Sequence, residues 1–308
     1  MINPHIHIEG LTKSYGNEKA LKALSVDIAK GELFGFIGPD GAGKTTLFRL
    51  LATLLLPDSG SAEVLGYDTV SGYKEIRKQI GYMPGKFSLY QDLSVEENLN
   101  FFAGIHGTTL QENYHLVQDI YQHIEPFKNR RAGKLSGGMK QKLALSCALI
   151  HQPKVLLLDE PTTGVDAVSR QEFWEMLKNL KEKGITVVVS TPYMDEAALC
   201  DRVALMQKGS VLKINTPQQI TAEFGHALFS IRSDTMFKLL GDLLQLENTH
   251  AAFRFGDTIH FTSHNKEETS QSIANNLIAQ GHHNVVVEPV LPTIEDCFIL
   301  LMKMENNA

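Results

Sequence analysis

Between His5 and about Glu223, short apolar and β-branched runs alternate with stretches whose apolar residues return every three or four positions. Strands alternating with helices in this way predict an α/β domain built on a largely parallel sheet. Glu32–Ile37 reads as a strand, a glycine-rich turn follows, and a helix is expected over 43–54 with Leu47, Leu50, Leu51 and Leu54 on one face. Lys154–Leu158 and Thr186–Ser190 are mostly apolar runs of the kind that a sheet buries on both faces.

After Glu223 the texture changes and no further phosphate-type glycine loop appears. The expected order becomes strand, helix, strand, strand, helix, strand, helix, over Leu228–Arg232, Thr235–Leu246, Ala252–Phe255, Ile259–Thr262, Glu267–Gln280, Val285–Glu288 and Ile294–Met304. Gly256-Asp257, between two alternating runs, signals a two-residue hairpin. This order resembles a split βαβ, ferredoxin-like sandwich with an added terminal helix, so the expected domains are 1–223 and a small α+β domain over 225–308.

Composition narrows the function classes. At about 150 residues per domain the 308 residues suffice for two cores, and 43% apolar with 21% charged residues excludes a disordered or fibrous chain. A formal net charge of −6 supplies no basic field, so nucleic acid is not an expected partner. The longest apolar runs, Leu54–Leu56 and Val155–Leu158, fall far short of the roughly 20 residues a membrane span needs. Met1–His5 has neither a basic start nor an apolar stretch, and Cys147, Cys200 and Cys297 are odd in number and far apart. A cytosolic chain without a disulfide framework is expected.

Gly38-Pro39-Asp40-Gly41-Ala42-Gly43-Lys44-Thr45-Thr46 fits G-x-x-x-x-G-K-[ST] between an expected strand and helix, the context that phosphate loop requires. Its backbone N–H groups would turn onto phosphate oxygens, with Lys44 reaching the β and γ phosphates and Thr45 ligating Mg²⁺. Val155–Glu160 is a strand that ends in two carboxylates: Asp159 can support Mg²⁺, and Glu160 can act as general base on a water attacking the γ phosphate. In Leu135-Ser136-Gly137-Gly138-Met139-Lys140-Gln141 a serine stands where it can cap a helix whose first turn holds two glycines. That makes a second anion-binding helix end beside a single phosphate loop, a spare half-site whose simplest use is on another subunit's nucleotide.

Together these residues resemble the nucleotide-binding subunits of ATP-binding-cassette (ABC) transporters over roughly residues 5–223, and Leu135–Gln141 is the most specific element. The resemblance implies a P-loop cassette with a helical signature subdomain, binding ATP and Mg²⁺ and working as a dimer. It implies that Tyr15 stacks on adenine, that Asp166 lies in a loop at the dimer interface, and that Ser136, Gly137 and Gly138 touch the γ phosphate bound by the partner. The tail, Pro289 and Leu291–Phe298, is similar to the ending of the C-terminal domain of drug-exporter and related ATPases. Lys86–Phe102, with Phe87, Leu89, Tyr90 and Leu93, resembles the family's region that receives a helix of the membrane subunit. His282-His283 carries no metal-ligand spacing and reads as an exposed polar turn.

Two positions depart from that family. Gly85 stands where a glutamine normally touches Mg²⁺ and the attacking water, and Pro192, without a side-chain donor or backbone N–H, stands where a histidine normally bonds the γ phosphate. Gln79 and Gln91 are each six residues from Gly85 and do not replace it. Losing one transition-state donor costs about 2.7–4 kcal/mol, so two losses predict a crippled site that still binds ATP through Lys44, Thr45 and Asp159. Asp40 replaces the commoner asparagine without evident consequence. The expected function is therefore the cytosolic ATPase subunit of an ABC exporter at the inner face of the plasma membrane, driving a separate permease and paired with a different ATPase subunit. The alternatives are a soluble ABC ATPase without a permease and a regulatory pseudo-ATPase that binds ATP as an assembly signal.

Overall fold

The computed structural model describes residues 4–265 and 267–307, so the reading of the extreme N-terminus falls partly on Met1–Asn3, outside the described residues. The chain divides into two compact units, Met1–Pro217 and Gln218–Ala308. Among the described residues no helix is long and apolar enough to cross a membrane.

In the first unit, β1 (Ile6–Tyr15) and β2 (Glu18–Ile28) form a hairpin, and β3 (Leu33–Ile37) runs through the phosphate loop into α1 (Lys44–Leu51). Next come β4 (Ser59–Val64), β5 (Tyr67–Asp68), α2 (Tyr73–Gln79) and β6 (Ile80–Met83). A helical stretch follows with α3 (Val95–Ile105), α4 (Leu110–Tyr121) and α5 (Gly137–Leu149). β7 (Val155–Asp159), α6 (Ala167–Glu182), β8 (Thr186–Thr191), β9 (Arg202–Gln207) and β10 (Ser210–Asn215) complete the unit. The central sheet runs β10-β9-β3-β8-β7-β6, parallel throughout except for the β10–β9 pair. β3, β7 and β8 are buried along their whole length, as their unbroken apolar runs require.

A second, antiparallel sheet, β2-β1-β4-β5, was not expected as a separate layer. Its two-residue alternation is interrupted where Gly10 (φ +57) and Ala23 (φ +49) turn left-handed and the β1–β2 register shifts. Such bulges reverse which residues face inward and hide the strand period in the sequence. Phe34, Phe36, Phe48, Leu157 and Val188 join one core with Ile6, Ile8 and Leu24 of that sheet. The helix after the phosphate loop is shorter than expected. Leu47, Leu50 and Leu51 are buried, whereas Leu54 lies beyond the helix and is 53% exposed.

α7 (Pro217–Ala222) spans the division between the units, six residues or fewer before the boundary expected after Glu223. The second unit contains β11 (Leu228–Arg232), α8 (Met236–Gln245), β12 (Thr249–Phe255), β13 (Thr258–Ser263), α9 (Ser270–Ala279), β14 (Val286–Val290) and α10 (Ile294–Asn307). Its sheet runs β12-β13-β11-β14 and every pair is antiparallel. The hairpin turns at Gly256 (φ +58), with Phe255 opposite Thr258. His260 Nδ1 lies 2.6 Å from buried Asp296, whose other oxygen accepts from Thr293 N–H and its hydroxyl, so the Pro292–Asp296 run fastens the start of α10 to β13. His282 corrects the reading of an exposed turn: it is buried, with Nε2 2.8 Å from Asp242 Oδ2 and Nδ1 3.3 Å from Thr235 Oγ1.

Candidate nucleotide site

The loop from Gly38 to Thr46 leaves β3 at its C-terminal edge and rests on the neighbouring strand: Gly38 N–H donates to Thr191 O at 3.2 Å. Space dictates the glycines. A Cβ on Gly38 would lie 2.2 Å from Met206 O, and one on Gly43, which sits at φ +98, 2.3 Å from Ala20 O. Gly41 (φ +79) has open space around it. Gly43 occupies the N-cap of α1 without a side-chain bond, so the N–H groups of the first turn are left uncapped by any side chain. Buried Lys44 donates to Gly38 O and Pro39 O at 2.7 and 3.0 Å and lies 3.4 Å from Glu160 Oε1.

The two carboxylates arrive from β7. Thr45 Oγ1 donates to Asp159 Oδ1 at 3.3 Å, which brings the hydroxyl and the buried carboxylate together beside the loop. Glu160 adopts φ +49, an unfavourable conformation for a residue with a side chain and one that concentrates at functional positions. Ser190, the penultimate residue of β8, ties both together: its hydroxyl donates to Asp159 Oδ1 at 2.5 Å and accepts from Glu160 N–H at 3.0 Å. A hydroxyl, a buried carboxylate and uncapped N–H groups are hard oxygen and hydrogen-bonding partners, so this set fits a nucleotide phosphate with Mg²⁺ held by Thr45 and Asp159. Tyr82 on β6 has its phenol pushed up to about 12 by burial, with the charge of Asp159 adding to the effect.

Gly85 faces this site. A Cβ on Gly85 would lie 3.6 Å from Glu160 Cβ and 3.7 Å from Asp159 Oδ2. Pro192 follows directly on Thr191, which supports the phosphate loop. Of the neighbouring glutamines, Gln79 is engaged elsewhere through its side chain, Oε1 accepting from Lys154, while the Gln91 backbone carbonyl accepts from Gly133 N–H.

The other predicted residues lie outside this cluster. Tyr15 ends β1 and is 48% exposed. Ser136 caps α5, accepting from Met139 N–H at 3.4 Å, and Ser136 and Gly137 are exposed. A Cβ on Gly138 would lie 2.7 Å from Ser169 Oγ and one on Gly137 3.2 Å from Gly164 O, so the signature turn packs against the loop that carries Asp166. Asp166 caps α6, and the Ser169 backbone N–H holds its carboxyl below the usual range. A groove of about 530 Å³ runs beside Met83, Phe87, Leu89, Phe102 and Ile105, and Tyr90 and Phe101 nearby are exposed.

The ABC transporter family profile matches residues 21–163. The linearmycin resistance ATP-binding protein LnrL of Bacillus subtilis is 30% identical over 97% of this chain and 93% of its own length. The chain belongs to the ABC transporter ATP-binding family. The cassette is also 41% identical over 96% of its length to the probable multidrug ABC transporter ATP-binding protein YbhF of Escherichia coli, of which it spans 52%, about half. The Nod factor export ATP-binding protein I of a Rhizobium is 37% identical over 71% of this chain and 73% of that one. Among solved structures, cbiO1 from Clostridium perfringens superposes with a TM-score of 0.64 at 29% identity, covering 72% of this chain and 92% of that one. A dimeric bacterial ABC transporter cassette, MJ0796, gives 0.63 at 27%, covering 68% and 98%. The cassette binds ATP and belongs to a family of ATPases.

The sequence assigns no role to Ser190, Arg170 or Glu196, which meet around the end of β8. Ser190 sits inside a run read as buried strand, where a small hydroxyl residue gives no signal of its own. Arg170 and Glu196 are 26 positions apart in the chain and meet only in the fold.

Proposed function

We propose that this ABC cassette is the ATP-hydrolysing subunit of an exporter, that it drives a separate membrane permease from the cytoplasmic face of the plasma membrane, and that it works as half of a two-ATPase assembly. The observation that carries the reading is the pairing of one phosphate loop, complete with Lys44, Thr45 and Asp159, with a second capped helix end whose Ser136 and Gly137 face outward. A helix end of that kind binds anions, and exposed Ser136 and Gly137 leave it open to a ligand carried by another chain.

In the proposed site Tyr15 stacks on adenine and the backbone from Gly38 through Thr46 wraps the phosphates, with Asp40 and Ala42 contributing N–H groups. Lys44 leaves its loop carbonyls for the β and γ oxygens. Mg²⁺, when bound by Thr45 and Asp159, supplies positive charge against those oxygens. Glu160 takes the proton of the attacking water. Ser136, Gly137 and Gly138, with Asp166 beside them, complete the site on the facing subunit. The groove beside Phe87 and Leu89, with exposed Tyr90 and Phe101, is the proposed seat of the permease, since exposed aromatic clusters mark contact surfaces.

Gly85 and Pro192 leave this chain's own site without two transition-state contacts, so we assign the faster hydrolysis to a site on a different ATPase subunit. The exporter relatives and the Pro292–Phe298 tail support outward transport. The domain expected over 225–308, which lies within the second unit, is read as a ferredoxin-like accessory domain; its strand order and antiparallel pairing support that reading. The test is to purify the full chain, measure turnover alone, then add candidate second ATPases and permeases from detergent-solubilised membranes. Little turnover alone and a large rise in a recovered membrane complex are expected. Fast hydrolysis by the isolated chain overturns the impaired site, and absence from every membrane complex overturns the transporter reading.

A further inference from the structure

Glu196 is a carboxylate with 1% exposure that nothing above uses. One oxygen accepts from Thr191 Oγ1 at 2.5 Å, and the other, Oε1, is buried without a hydrogen-bond partner. Arg170 Nε is likewise buried without one, and the two orphans lie 3.8 Å apart. The carboxylate and guanidinium thus form an ion pair across 3.8 Å without a hydrogen bond between them, while another guanidinium nitrogen of Arg170 lies 3.9 Å from Asp195 Oδ2. Its two ends belong to different parts of the machinery. Arg170 stands in the first turn of α6, its N–H bonded to Asp166 O at 2.9 Å, and its guanidinium lies 4.3 Å from the Tyr193 ring centroid, just past Pro192. Glu196 holds Thr191, the neighbour of the Ser190 that fixes Asp159 and Glu160.

We propose that Arg170 and Glu196 are positioning residues for the nucleotide site, linking the helix that starts at Asp166 to the end of β8 and, through Ser190, setting how Asp159 and Glu160 stand. The inference rests on the site proposed above. Thr191 tethered to Glu196 cannot shift without carrying Ser190, and Ser190 is the donor to Asp159. Backbone pairing with β3 and β7 sets the register of the strand end, and the Glu196 anchor holds the Thr191 side chain beside the phosphate loop.

The test measures the affinity of the full chain for ATP with Mg²⁺ and with chelator, in Glu196→Gln, Arg170→Met, Arg170→Lys and the Gln/Met double variant. The pair acts on the carboxylate that supports Mg²⁺, so each of Glu196→Gln and Arg170→Met is expected to cut the Mg²⁺-dependent gain in affinity about tenfold, as outer partners of metal sites do. ATP affinity in chelator should stay within about twofold, since the loop and Lys44 are untouched. The double variant should lose no more than the worse single, and Arg170→Lys should recover part of the gain. Melting curves identify a variant that has failed to fold; affinities that fall equally with and without Mg²⁺, losses that add in the double variant, or no change in either single variant overturn the proposal. Lys44→Ala tests the site itself: ATP affinity unchanged in that variant places the nucleotide elsewhere, whatever the cycle shows.

Discussion

At the start of α1 the chain brings a buried lysine, a hydroxyl and two carboxylates against an uncapped helix end, all from its own residues. At the start of α5 it offers exposed Ser136 and Gly137 packed beside the Asp166 loop, and the serine already occupies one of the helix N–H groups. The helix dipole is the same at both ends, so a positive terminus alone does not make a site. What separates them is the charge and carboxylate chemistry that the parallel sheet delivers to one end: β7 and β8 stop beside the phosphate loop, and Asp159, Glu160 and Ser190 stand there for that reason. In the proposed assembly the second helix end meets such neighbours on the facing subunit.

The largest expected effect comes from the incomplete end. Gly137→Asp puts a carboxylate where a partner's phosphate would sit, and turnover of the assembled complex should fall about 10²–10³-fold while ATP binding by the isolated chain is unchanged. Equal activity of the mutant complex would break the distinction between the two ends. Next is the complete end: Lys44→Ala removes a charge-assisted contact, so ATP affinity of the isolated chain, followed by calorimetry, should drop roughly 10–100-fold. In the complex its effect on turnover should be smaller than that of Gly137→Asp, because the proposed assembly places the faster site on the other subunit.

Restoring the two missing contacts sharpens the comparison from the opposite side. Gly85→Gln with Pro192→His should raise steady-state hydrolysis by the chain alone about tenfold or more, since Gly85 faces both carboxylates, provided the Asp159 carbonyl, 3.2 Å from a built Cβ, gives by a few tenths of an ångström. No gain would mean that those residues do not limit the site. The smallest effect concerns the far end of the signature helix, where His151 Nε2 lies 2.9 Å from Ile80 O and the ring stacks on His106 at 3.7 Å. Burial holds its pKa down at about 4 against an ordinary 6.5. A histidine kept neutral in the fold takes up a proton on unfolding, so it costs nothing above about pH 6.5 and destabilises increasingly as pH falls toward 4. Between about pH 7.5 and pH 5 the wild type should lose roughly 2–4 °C more in melting temperature than His151→Gln; identical losses would remove His151 as the titrating group.

Much of the cassette was legible in advance. The central strands match their apolar runs to within a residue, because a strand buried on both faces cannot hide its composition. The antiparallel layer of β1 and β2 was not legible, because left-handed residues at Gly10 and Ala23 break its period. Leu54 looked like one more residue of a helical face, yet α1 ends at Leu51 and leaves it outside. His282 looked like a surface residue because it sits beside another histidine in a polar turn; only the packing of α8 supplies Asp242 and Thr235 and draws it inside.

The sequence by itself determined the family, the phosphate loop, the two carboxylates and the signature turn. Each is a local run whose chemistry depends on spacing along the backbone. It also marked positions 85 and 192 as the two that lack an expected contact. The tertiary structure decided that Gly85 faces Asp159, that Ser190 bridges both carboxylates, and that Arg170 and Glu196 pair at 3.8 Å without a hydrogen bond. Those relations join segments that are distant in the chain, and only parallel pairing of β3, β7 and β8 brings the segments to one edge.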